Sequence, residues 1–233
     1  MTYIIKGENI NPVIFIHIPK NAGNSILSMA SKNYTCFHVL NDRTENDNFH
    51  STLKDVEIYI QNDKKIKKIF TIVRNPFERA CSWFLFRQEV LRIGLKALYA
   101  GKKTNKVIND KELVYKEYSD MLDRGFYYWL QKYYNKKWDF TWFSLANNQS
   151  DWLQGNNYKK VKILKLEKLD SEISKIGIFK DFILPHKNKN VQRKMKKNFE
   201  NIQLLDTHSI TFLEKLYAED IDNFQYSKKD LLP

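Results

Sequence analysis

The chain has 233 residues, with 39 Lys and Arg against 27 Asp and Glu, a net charge of +12 and a hydrophobic fraction of 42%. With only seven glycines, that composition excludes a disordered or collagen-like chain, and the length suffices for one domain with a sizeable core. The basic excess points to polyanionic partners such as nucleotide phosphates, nucleic acid, anionic glycans or a membrane face, or merely to a soluble surface.

Taken in chain order, the apolar run from Val13 to Ile18 is short and rich in β-branched residues, as a buried parallel strand is. Pro19 ends it, and a helix is expected from Ser25. TCFHVL from Thr35 reads as a strand, and Ser51-Thr52 ahead of LKDVEIYIQ as an N-capped helix. KIFTIV from Lys68 is the next buried strand, and Pro76 suits the first turn of a long helix reaching Phe86 or Leu98. A loop over 101–110 precedes a second long helix over 111–136. The aromatic stretch from Trp138 reads as core or as a sugar-stacking surface. VKILKLEKL from Val161 returns to strand pattern and turns into a helix near Asp170, and a last helix spans 207–218. No repeat or linker divides the chain, so one domain over 1–233 is expected. Strands alternating with helices predict an α/β fold, a central mostly parallel sheet with helices on both faces.

Cys36 and Cys81, the only cysteines, lie in apolar runs and read as reduced core residues. The first apolar stretch is too short for a signal peptide and contains His17. No run approaches the ~18 apolar residues of a membrane span. A cytoplasmic protein without a membrane span is expected.

Two strand exits carry chemistry. After the first, Lys20 supplies charge, Gly23 admits close backbone approach, and Asn24 and Ser25 can donate hydrogen bonds as a helix begins. The spacing is not that of a Walker loop, whose Lys comes after the last Gly. After the second, Arg74 leaves the strand, Asn75-Pro76 turns, and Ser82 lies two turns into the helix. Arg79 reads as a helix-surface salt bridge. Each loop alone also fits an ordinary strand–turn–helix with a solvated cation. Together they offer two anion sites at helix starts on the carboxyl edge of the sheet, enough for a ligand with two phosphates.

Pro19, Lys20, Gly23 and Ser25, and then Arg74, Asn75, Pro76 and Ser82, resemble the sulfotransferases that use 3'-phosphoadenosine 5'-phosphosulfate (PAPS), in particular the carbohydrate and heparan sulfate type. Asn21 and Asn24 depart from that pattern, which usually has small hydroxyl residues there. Glu167 in VKILKLEKL, the LPHKN turn at 184–188 and YAEDIDNFQYS from Tyr217 extend the resemblance over nearly the whole chain. It implies a P-loop-like sulfotransferase fold. It also implies that the first loop binds the 5'-phosphosulfate end of the donor and the second the 3'-phosphate, leaving 3',5'-adenosine bisphosphate as product. Lys20 is the expected partner of the leaving 5'-phosphate, and no metal is expected.

A hydroxyl acceptor must lose a proton, which a histidine can take. FHSTLKDV resembles the family's His-x-Thr segment and so points to His50; His38, at the end of its strand, is the alternative. His17 reads as structural, His208 as surface or capping, and His186 of the LPHKN turn as lining the nucleotide or acceptor site. Glu167 is a further alternative for the base, but reads rather as structural or cofactor-orienting. In the basic segment from Leu184, Lys187, Asn188 and Lys189 are candidates for the 3'-phosphate or an anionic acceptor, or form a solvated face. The expected function is sulfuryl transfer to a carbohydrate or glycolipid hydroxyl. A P-loop-like phosphotransferase and a non-enzymatic nucleic-acid binder are the rivals, lacking respectively an acidic Mg²⁺ partner and any recognised binding motif.

Overall fold

A computed structural model of the chain describes residues 2–8, 10–39, 51–101, 111–134, 148–180 and 205–226. His50, His186, Lys187, Asn188, Lys189 and the aromatic segment from Trp138 to Asn147 lie outside the described residues.

Five strands form one sheet in the order β3-β1-β2-β4-β5. They are β1 (Tyr3–Gly7), β2 (Ile10–Ile16), β3 (Thr35–His38), β4 (Lys68–Val73) and β5 (Val161–Lys165). The register pairs Ile14 with Ile69 and Ile69 with Val161 in parallel, whereas β1 runs antiparallel to both β2 and β3. The sheet is therefore mixed, not mostly parallel. The reason is β1, whose YIIKG pairs antiparallel with β2, with Tyr3 opposite Phe15 and Gly7 opposite Ile10. Nor does β2 lead into a P-loop. The loop after it has a single glycine, Gly23, and the positive φ angles fall on Lys20 and Ala22.

The central strands are buried on both faces, so their alternate residues feed two cores. Ile14, Ile16, Ile69 and Val73 face one, shared with α2 (Leu53–Asn62), α3 (Pro76–Tyr99) and α4 (Lys111–Asp123). Val13, Phe15, Phe70 and Ile72 face the other, shared with α1 (Gly23–Ala30) and α6 (Leu169–Glu172). Phe15 and Phe70 stack there with centroids 4.9 Å apart. The N-terminus of α2 is the expected one: Thr52 accepts from the Asp55 N–H while Asp55 accepts from the Thr52 N–H, a capping box.

The helix expected over 111–136 is broken. α4 ends at Asp123, Gly125 takes φ 75°, and α5 (Gly125–Trp129) starts in a new direction, leading into a π-helical turn at Leu130–Tyr134. The fold-back brings the Trp129 indole N–H to Glu117, which also takes a 2.7 Å ion pair from Arg87. The last helical segment also divides, into α7 (Thr207–Leu216), capped by Asp206, and α8 (Ala218–Asn223). Both cysteines are free and partly buried, Cys81 packed against one core and Cys36 against the other.

Candidate active site

Both strand exits open on the same edge because β2 and β4 are parallel neighbours. Beyond β2 the chain turns through Lys20 (φ 71°) and Ala22 (φ 60°), left-handed conformations that few non-glycine residues adopt. In α1 the first helical hydrogen bonds run from the Ser25 and Ile26 N–H groups to the Ala22 carbonyl. The N–H groups ahead of them have no intrahelical acceptor and carry the positive end of the helix dipole. Ser25 is buried and Asn24 exposed. Gly23 has a packing role besides admitting a phosphate. The His17 imidazole fills the space where a Cβ would stand, its Nε2 only 2.0 Å from that position.

The Lys20 ammonium lies over two rings of α3, 4.2 Å from the centroid of Phe86 and 5.5 Å from that of Trp83. Burial pulls its pKa down to about 8, and the neighbouring charge of Arg74 pulls the same way. The two cations thus share one environment.

At the second exit, Arg74 is clamped by its backbone. Its N–H donates to Gln149 Oε1 at 2.9 Å, and its carbonyl accepts from Gln149 Nε2 at 2.8 Å. The next N–H, of Asn75, donates to Glu167 at 2.6 Å, and Glu167 also accepts from the Tyr226 hydroxyl at 3.2 Å. Three of the motifs read from the sequence therefore meet at one carboxylate. The Arg74 guanidinium pairs with Glu78 at 3.0 Å. Ser82 is half-buried and lies between Glu78 and Phe86 at successive i, i+4 positions, so it shares their helix face.

Two expectations change here. The start of α3 is not a backbone anion site: Asn75 Oδ1 accepts from the Phe77 and Glu78 N–H groups, and Pro76 has none. A second phosphate would rest on Arg74 and Ser82 instead. Arg79 is no surface residue. It is fully buried, and its Nε donates to the Pro19 carbonyl at 3.3 Å, tying α3 to the first loop.

Of the histidines, His17 stacks on Phe15 and packs on Gly23. His38 is exposed, rests on Tyr3 with centroids 4.6 Å apart, and has its pKa lowered chiefly by desolvation. It ends β3, with β1 between it and β2. His208 is exposed beside Tyr127. The residue after His50 is well anchored: Ser51 donates to the Val39 carbonyl and accepts from the Thr2 hydroxyl, which in turn accepts from the His17 N–H. Ser51 is thereby tied to Val39 and, through Thr2, to His17 at the end of β2.

Gln149 and Asn21 are the members of this site to which motif reading gave no role. Asn21 alone left a trace, as a departure from the hydroxyl residue of the family pattern.

The sulfotransferase family matches residues 2–227, nearly the whole chain, and the protein belongs to that family. No curated protein and no solved structure gives a significant match. No helix among the described residues is long and apolar enough to cross a membrane.

Proposed function

We propose that this sulfotransferase takes its sulfuryl group from PAPS and passes it to a hydroxyl of a carbohydrate or glycolipid. The observation that supports the donor is that the parallel neighbours β2 and β4 deliver Lys20 and Arg74 to one edge of the sheet, where Asn21 and the Arg74 N–H share the same Gln149 oxygen. The Arg74 charge also helps burial to lower the Lys20 pKa. Two cations crowded in a half-buried place repel each other, and an anionic ligand relieves that cost. A donor with phosphates on both its 5' and 3' positions matches two cations delivered by two separate loops.

Bound there, the donor supplies a sulfuryl group on its 5'-phosphate. Lys20 and the N-terminal N–H groups of α1 stabilise the charge that grows on the leaving phosphate oxygen as its bond to sulfur breaks. Arg74 and Ser82 hold the 3'-phosphate and so orient the molecule for in-line attack. His50 takes the proton of the acceptor hydroxyl as the new sulfur–oxygen bond forms. The electron pair of the broken bond leaves on the 5'-phosphate, giving 3',5'-adenosine bisphosphate and a sulfate ester.

Thermal unfolding with 3',5'-adenosine bisphosphate, beside 5'-AMP and magnesium ATP, tests the donor. At about one hundred times its dissociation constant a ligand adds about 2.7 kcal/mol, or roughly 5–10 °C for a domain of this size. A rise selective for the bisphosphate is expected. A rise with magnesium ATP alone would overturn the reading in favour of a phosphotransferase.

A further inference from the structure

Gln149 is fully buried, and every hydrogen-bonding position of its carboxamide is used. Its Oε1 accepts from Asn21 Nδ2 at 2.6 Å and from the Arg74 N–H at 2.9 Å. Its Nε2 donates to the Arg74 carbonyl at 2.8 Å and to Asp220 Oδ2 at 3.2 Å. The paired bonds to Arg74 imitate a strand neighbour just past the end of β4. Asn21 Nδ2 donates a second bond to the Ile72 carbonyl at 2.8 Å, so the two amides together grip the strand exit from residue 72 to residue 74. Gln149 is itself seated by the buried Asp220 carboxylate, which accepts from the N–H groups of Gln149 and Ser150 at 2.7 and 2.9 Å.

Asn21 occupies the middle of the first loop, between the two left-handed residues Lys20 and Ala22. Fixing its side chain fixes the turn that aims Lys20 and starts α1. Gln149 fixes Arg74 from the other side. One buried amide-to-amide bond therefore runs from the loop carrying the first cation to the loop carrying the second.

We propose that Asn21 and Gln149 are positioning residues, a clasp that sets the separation of the two anion loops and so selects ligands with two phosphates at a fixed spacing over ligands with one. The proposal rests on the two-phosphate reading above. Its physical basis is preorganisation: two rigidly spaced anchors bind a ligand that spans them better than either anchor alone predicts, and that advantage disappears when the spacing is free to vary. A pair that only filled its buried space would affect every ligand alike.

Calorimetric binding of 3',5'-adenosine bisphosphate, 5'-AMP and 3'-AMP to the full chain separates these cases, using Asn21→Ser, Gln149→Met and the double variant. The bisphosphate should weaken about tenfold or more in each single variant, the scale of one buried hydrogen bond with its strained partners. The monophosphate whose anchor the substitution leaves in place, 3'-AMP in Asn21→Ser and 5'-AMP in Gln149→Met, should change by less than about threefold. The double variant should bind no worse than the weaker single, because both remove one link. Asn21→Ser carries the test by itself if Gln149→Met fails to fold. Equal losses for all three ligands, no loss for any, or additive losses in the double variant would overturn the clasp while leaving the donor reading standing. A wild-type protein that binds the bisphosphate no better than the monophosphates would overturn both.

Discussion

Replacing Gly23 by alanine probes the packing on which the first loop depends. A Cβ at this position falls 2.0 Å from His17 Nε2, 2.2 Å from Cδ2 and 2.3 Å from Cε1. All three are shorter than any tolerable carbon contact, so the imidazole must leave its place against Phe15. The backbone is no obstacle, because Gly23 is not among the glycines with positive φ. Alanine in a helix is in fact favoured over glycine by up to about 1 kcal/mol. Contacts this short put the cost in the upper part of the overpacking range, about 2–3 kcal/mol, so after that preference the net loss should be about 1–2 kcal/mol, or roughly 2–8 °C in Tm for a chain this long. Thermal unfolding of Gly23→Ala, His17→Ala and the double variant measures it. Without the imidazole the clash vanishes, and alanine in the His17→Ala background should be neutral or stabilising. A Gly23→Ala protein as stable as wild type, or a penalty unchanged when His17 is removed, would refute the packing argument.

Three further outcomes are expected. Arg74→Ala should weaken binding of 3',5'-adenosine bisphosphate by about 1.5–3 kcal/mol, as loss of a charged hydrogen-bond set does; Glu78→Gln, which frees Arg74 from its ion pair, should instead tighten binding severalfold with little change in Tm, the pair being partly exposed. Titration calorimetry reads both, and weaker binding in Glu78→Gln would argue that Glu78 orients Arg74 rather than competing for it. For Lys20 the folded pKa of about 8 lies below the ordinary 10.5, so its burial costs stability in full below pH 8, and the cost fades as pH rises towards 10.5. Lys20→Met should therefore raise Tm at pH 7 by an amount that shrinks across that window, while wild-type affinity for the bisphosphate falls as pH passes 8; a pH-independent difference in Tm would contradict the assignment. His50→Ala should lower turnover by about 10²–10⁴ with bisphosphate binding nearly intact, and normal turnover would shift the role of base to His38.

The parts of the fold visible in the sequence are those with a local cause. β2 and β4 are continuous β-branched runs, Thr52 and Asp55 have the spacing of a capping box, and Pro76 marks the first turn of α3. The hidden parts depend on partners distant in sequence. β1 is a short apolar group whose direction is set by pairing with β2, so the sheet reads as more parallel than it is. The apolar periodicity of 111–136 passes through Gly125 unchanged, and only the left-handed backbone there reveals that the chain folds back. Arg79 has the look of a surface helix residue; it is buried because the Pro19 carbonyl, 60 residues away, lies within its reach. Asn75 reads as a turn residue, although its type and its place before Pro76 also fit a helix cap. A cap at that position leaves no second backbone anion site.

The same division runs through the site. The cations sit in recognisable motifs because their chemistry demands particular residue types near a strand exit. The order of the site comes from elsewhere. Where β4 leaves the sheet, its next two N–H groups, of Arg74 and Asn75, have no strand to donate to, and an unsatisfied buried N–H is costly. Gln149 and Glu167 accept them, from 75 and 92 residues further along the chain. Neither residue has a local pattern, since any side chain with an acceptor of the right reach could serve. They nevertheless decide where the guanidinium of Arg74 starts from, and through Asn21 how far it stands from Lys20. On the clasp proposed above, the ligand preference of this site depends on buried neutral and acidic groups as much as on the basic residues assigned to an anion.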